Sequence, residues 1–82
     1  MRTVVRAKTR SPYFLTVQFD DGIEKTLDLE PLLVGEVFEP LRDPAYFALV
    51  TVDEDLGTVV WPNGADLAPE FLYEAEEARA RS

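Results

Sequence analysis

The chain of 82 residues contains no cysteine and no histidine. Without cysteine there is no disulfide, no thiolate nucleophile and no zinc–sulfur site. Without histidine the commonest general base and metal ligand are missing, and with them any serine–histidine or cysteine–histidine nucleophilic arrangement. Positive charge is scarce. Eight Lys and Arg against 16 Asp and Glu leave a net charge of −8, the wrong sign for gripping a phosphate backbone. No stretch approaches the ~20 apolar residues of a membrane span. Residues 1–8 alternate charged and apolar side chains, where a signal peptide would carry an unbroken apolar run. A cytosolic protein is the expectation, and the missing cysteines agree with it.

What the chain does have is a core. Hydrophobic residues make up 46%, among them five Phe, three Tyr and one Trp. That suffices for one small domain spanning residues 1–82, although a chain this short hides only ~60% of the surface its unfolded form exposes. There is no repeat, low-complexity tract or linker. Residues 3–8 are rich in β-branched side chains and read as a first strand, broken by Ser11-Pro12. In residues 13–19, Tyr13, Leu15, Val17 and Phe19 alternate with Phe14, Thr16 and Gln18, the period-two pattern of a strand with one buried face. Asp20-Asp21-Gly22 turns the chain, and residues 23–28 return it.

The register of this hairpin follows from the pattern. A two-residue Asp21-Gly22 loop would set Phe19 against Glu24 and Leu15 against Asp28, placing acids on the apolar face. A three-residue loop with Gly22 left-handed sets Phe19 against Ile23 and Leu15 against Leu27. Only Lys25, opposite Val17, then sits awkwardly, with its stem along the apolar face and its amine expected in water.

Residues 29–35 read as a turn or two of helix ending at Gly35, and residues 38–42 as extended. Asp43-Pro44 is an N-cap followed by proline at the first helical position, so a short turn is expected over 43–47. Residues 48–52 and 58–61 read as strands around an acidic loop, and Pro62-Asn63-Gly64 ends the sheet. A helix begins near Pro69, with Phe71, Leu72, Ala75 and Ala78 on one stripe and Glu70, Glu74 and Glu77 opposite. Arg79 and Arg81 fall near its C-terminus, where cations are favoured. The fold class is α+β: a small antiparallel β-sheet of about five strands with the C-terminal helix packed on one face.

Trp61-Pro62-Asn63-Gly64-Ala65-Asp66 is the candidate site. An indole, an amide and a carboxylate on a rigid turn beside a helix N-terminus could form a recognition corner. Turn and cap chemistry accounts for the same residues: Pro62 ends a strand, Asn63-Gly64 turns, Asp66 caps the helix, and Trp61 fills the core. Asp53-Glu54-Asp55 offers carboxylates to a divalent cation but lacks the spacing of a calcium loop, and Asp20-Asp21 reads as a turn former. Arg2, Arg6, Lys8 and Arg10 interrupt the acidic surface; with Val4, Arg6 and Lys8 recur at period two, a positive strand face that discourages edge-to-edge pairing. No pair of acids or tyrosines stands out as catalytic machinery, so no enzyme and no cofactor or metal is expected.

Three stretches carry a resemblance: Phe19-Asp20-Asp21-Gly22 with Asp28-Leu29, residues 37–44 (Val-Phe-Glu-Pro-Leu-Arg-Asp-Pro) with Phe47, and residues 60–70 (Val-Trp-Pro-Asn-Gly-Ala-Asp-Leu-Ala-Pro-Glu) with Leu72-Tyr73. In this order they resemble a bacterial domain-of-unknown-function family, number 2442, over nearly the whole chain. The resemblance implies a small antiparallel sheet with a packed helix and no catalytic activity. It also implies a gene neighbourhood like that of a toxin–antitoxin pair. The functional expectation is therefore a non-catalytic protein-interaction module, antitoxin-like, whose protein partner comes from an adjacent gene. The expected binding residues are Trp61, Asn63, Gly64, Asp66, Glu70, Glu74 and Glu77. The other reading is a small-ligand or anion-binding domain using the Trp61–Asp66 corner. Direct nucleic-acid readout is not expected, because the one long helix is acidic.

Overall fold

A computed structural model of the chain describes residues 2–75. Three strands, β1 (Val4–Arg10), β2 (Phe14–Phe19) and β3 (Glu24–Asp28), form an antiparallel sheet in that order. The hairpin adopts the register its apolar pattern requires. Leu15 pairs with Leu27 and Val17 with Lys25, the Phe19 amide donates to the Ile23 carbonyl, and Gly22 has φ +89°. Leu15, Val17 and Phe19 are fully buried on the inner face.

Between Val4 and Arg6 the pairing with β2 shifts, so that Val4 lies opposite Phe19 and Arg6 opposite Gln18. Val5 is the extra residue of a β-bulge. The period-two reading placed Val4 on the face of Arg6 and Lys8; the bulge turns Val4 into the core, 2% exposed, and leaves Arg6, Lys8 and Arg10 outward.

The five strands fall into two sheets rather than one. Strands β4 (Thr51–Asp53) and β5 (Thr58–Val60) make a separate hairpin, tied to β1 by a hydrogen bond from the Val4 amide to the Gly57 carbonyl, 2.8 Å. β4 starts later than its composition suggests because Ala48 and Leu49 complete the turn begun by helix α1 (Pro44–Phe47): their amides bond back to Pro44 and Tyr46. Asp43 caps α1 as expected, its Oδ1 accepting from the Ala45 amide at 3.0 Å.

Residues 29–35 form a single 3-10 turn, Glu30–Leu32, and Gly35 starts the following turn instead of ending a helix, its carbonyl accepting from Phe38 and Glu39. The stretch 38–42, read as extended, coils into a second 3-10 turn, Glu39–Arg42. Pro40 supplies the fixed φ of a turn start, and the coil lowers Leu41, 0% exposed, into the core. The C-terminal helix α2 (Pro69–Glu74) is short. It buries Leu72 and sets Tyr73 edge-on against Phe19, 4.9 Å between ring centroids. Phe71, expected on the buried stripe, is 43% exposed. The backbone turns extended at Ala75, and Glu77, Ala78, Arg79 and Arg81 lie outside the described residues.

The molecule measures 36 × 31 × 18 Å. The least dimension fits two layers about 10 Å apart: the β1–β3 sheet, and over its inner face the turns, helices and second hairpin. The outer face of the sheet faces solvent.

Candidate functional site

The corner expected from the sequence lies where β5 leaves the sheet. The Trp61 amide donates to the Ala65 carbonyl at 2.9 Å, the Gly64 amide to the Trp61 carbonyl at 2.9 Å, and Gly64 takes φ +88°. Asn63 is engaged at both ends of its amide. Its Oδ1 accepts from the Ala65 N–H at 3.1 Å, and its Nδ2 donates to the Val37 carbonyl at 2.8 Å. Asn63 therefore both shapes the turn and ties it to the loop between the two 3-10 turns.

Trp61 is 2% exposed; its indole N–H donates to the Phe47 carbonyl at 2.9 Å and its ring lies 5.8 Å from that of Phe47. The indole is a core anchor with its single donor satisfied, not a platform open to a ligand. Asp66 does not cap α2. The cap position is Ala68, with no side-chain bond, while Asp66 forms an isolated antiparallel bridge with Val60 that extends the β5 edge. Cap and bridge residues draw on the same local composition, and the bridge partner is visible only in three dimensions. Asn63, Gly64, Asp66, Glu70 and Glu74 are all exposed. The corner thus presents a rim of carboxylates, while its turn amides donate within the fold.

The loop whose Val37 carbonyl Asn63 holds carries two exposed apolar side chains, Val34 at 68% and Val37 at 54%, and the exposed Glu36 and Glu39 flank Val37 in the sequence. The composition of residues 29–40 gave no sign that these valines would be left outside, since Leu29 and Leu33 of the same stretch are buried.

Among the described residues, open clefts lie away from this corner. One, about 330 Å³, lies on the outer sheet face among Arg6, Lys8, Thr16, Gln18 and Glu24. Another, about 300 Å³, lies between β1 and the second hairpin, beside Val5, Val52 and Glu54. Among the described residues no group of three or more acids is placed to hold a metal ion. Asp53 serves its own loop, its Oδ1 accepting from the Asp55 and Leu56 amides at 2.9 and 3.1 Å. No helix among the described residues is long and apolar enough to cross a membrane.

A polar cluster that the sequence did not announce joins three distant segments. Asp21 accepts from the Ile23 amide at 3.0 Å and from the Tyr73 hydroxyl at 3.0 Å, and lies 3.5 Å from the Arg2 guanidinium. That guanidinium also stacks 4.2 Å from the centroid of the Tyr73 ring. The Ile23 amide bond, with help from Tyr73 and Arg2, holds the Asp21 carboxyl below its ordinary range. The bond to Asp21 raises the Tyr73 hydroxyl above its own. The cluster fastens the hairpin turn to α2 and to the start of the chain.

Architecture and surface together define a small two-layer α+β domain whose candidate site is a carboxylate-rimmed turn beside exposed valines. The chain belongs to the family described as "Protein of unknown function (DUF2442)", whose profile matches residues 4–78. No curated protein and no solved structure matches it.

Proposed function

We propose that this chain is a non-catalytic protein-interaction domain. In this reading it acts in the cytosol as the neutralising, antitoxin-like half of a two-gene pair and holds a basic polypeptide without reading nucleic acid directly. The observation that carries the reading is the exposure of Val34 and Val37 on a loop that also carries the exposed Glu36 and Glu39, tied by the bond from Asn63 to the Val37 carbonyl to the corner that leads to Asp66 and α2. A small apolar centre within a charged rim is the anatomy of a protein–protein interface. A rim of one sign selects a partner of the other and speeds its approach. The net charge of −8 acts in the same direction at longer range. Glu70 and Glu74 on α2 extend the acidic rim, and Glu77 continues it in the sequence.

The test is affinity purification of the tagged protein from its native cells beside two comparison baits. One carries Glu70→Lys, Glu74→Lys and Glu77→Lys; the other carries Val37→Asp. A stoichiometric basic polypeptide retained by the wild-type bait and lost from both variants is the expected result. A partnerless wild-type protein would overturn the reading and turn attention to small ligands at the Trp61–Asp66 corner.

A further inference from the structure

The outer face of the β1–β3 sheet carries a charge pattern that the interaction surface does not use. The ladder aligns side chains in rungs across the three strands: Arg6–Gln18–Glu24, Lys8–Thr16–Thr26 and Arg10–Phe14–Asp28. The β1 column is cationic, the β2 column neutral, and the β3 column ends in acid at both outer rungs. Within one chain, Arg6 and Glu24 are two strands apart, about 9.6 Å at ordinary strand spacing. Among the described residues neither they nor Arg10 and Asp28 form an ion pair, the pair present being Arg2–Asp21. Thr16 and Thr26 satisfy one another at 2.8 Å. The Arg10 guanidinium lies 5.2 Å from the centroid of the Phe14 ring, and one Asp28 oxygen accepts from the Glu30 amide at 3.1 Å.

We infer that this face is a docking surface for a second copy of the chain, related by a two-fold axis parallel to the strands and passing over β2. Such an axis keeps each rung level and exchanges the outer columns. Arg6 of each copy then faces Glu24 of the other, Arg10 faces Asp28, and Lys8 faces Thr26. On the axis, Phe14, Thr16 and Gln18 meet their own counterparts, as an isologous interface requires. A two-fold axis across the strands would instead lay β1 on β1, cation against cation. The pattern therefore selects one symmetry.

The face is small. Three strands about 4.8 Å apart and five residues long at about 3.3 Å each cover roughly 250 Å² of flat sheet, well below the ~800 Å² each partner contributes to a stable complex. The dimer is accordingly weak and reversible. Two bodies of charge −8 repel beyond the interface. At about 0.15 M salt that repulsion is screened within about 8 Å, while contact pairs are screened less, so association is strongest near that ionic strength and falls at about 0.01 M.

The test is sedimentation velocity on the purified protein to about 1 mM, the range in which a weak complex is populated, with circular dichroism as a check that each variant is folded. The expected result is concentration-dependent dimerisation of the wild type. Arg6→Glu alone and Glu24→Arg alone should each weaken it at least about fivefold, because each sets like charges face to face twice in the dimer. The double variant Arg6→Glu/Glu24→Arg restores the pairing and should restore the dimer. A wild type that stays monomeric to about 1 mM, single variants without effect, or a double variant that fails to recover would each overturn the inference. None of these outcomes depends on the partner proposed above, whose surface lies on the other layer.

Discussion

Trp61 and Asn63 belong to the same turn, yet substitution should affect them in different ways. The Trp61 indole fills the core against Phe47 and donates to the Phe47 carbonyl. Trp61→Phe leaves a void and an unpaired buried carbonyl, and should cost about 2–4 kcal/mol of stability in denaturant melts. Any loss of partner binding by that variant should track its unfolded fraction. Asn63→Ala removes two hydrogen bonds, an exposed one to the Val37 carbonyl and a partly buried one from the Ala65 amide. It should cost about 1 kcal/mol while loosening the loop that presents Val34 and Val37. Asp21 and Tyr73 set a pH window. The folded state lowers the Asp21 pKa, so its contribution is present above the unfolded value and is lost as pH falls through the folded one. It raises the Tyr73 pKa, so that contribution is present below the unfolded value and is lost as pH rises through the folded one. In Asp21→Asn, ultraviolet titration should show the Tyr73 phenol returning toward its ordinary range, and the acid limb of the stability–pH curve should flatten.

Helix α2 is too short to be stable alone and depends on what it touches. Lys25, whose amine the hairpin register left to the solvent, instead reaches the helix C-terminus. Its Nζ donates to the Tyr73 carbonyl at 2.6 Å and also to the Ala75 carbonyl. A cation at that end satisfies carbonyls the helix cannot and complements its dipole. Lys25→Met keeps the apolar stem and removes the donor. It should lower stability by about 1–2 kcal/mol, with earlier amide exchange in α2 than in the β1–β3 sheet. Gly57 has φ +69°, and a Cβ there would lie 2.6 Å from Thr3 Cγ2. Gly57→Ala should therefore cost about 1–3 kcal/mol and disturb the hydrogen bond from the Val4 amide to the Gly57 carbonyl that ties the two sheets.

The same elements show what a sequence can convey. The β2–β3 hairpin was readable because period-two burial admits a single register and Gly22 supplies its turn. The bulge at Val5 leaves no local mark, so period two alone sets Val4 on the face of Arg6 and Lys8 while the fold turns it into the core. The roles of Lys25 and Tyr73 depend on partners about 50 residues away in the chain. Asp66 has the composition of a cap but the geometry of a bridge. Pro62-Asn63-Gly64 marks its turn in the sequence; the bond by which Asn63 gathers in the Val37 loop spans 26 residues and has no local sign.

At the scale of the whole molecule, an acidic slab offers two unlike faces: a carboxylate-rimmed corner with exposed valines, and a bare sheet with cations along one edge and acids along the other. Association of a basic partner with the first should slow as salt rises, because screening shortens the reach of the −8 charge. The most direct measurement is a hydrogen-exchange footprint of the domain in complex with the basic polypeptide that the proposed function predicts it to retain, compared with the free domain. The expected result is new protection over residues 34–39 and 63–74, with the 53–57 loop unchanged. Protection confined to β1 and β3, or none at all, would contradict an interaction domain that works through this corner.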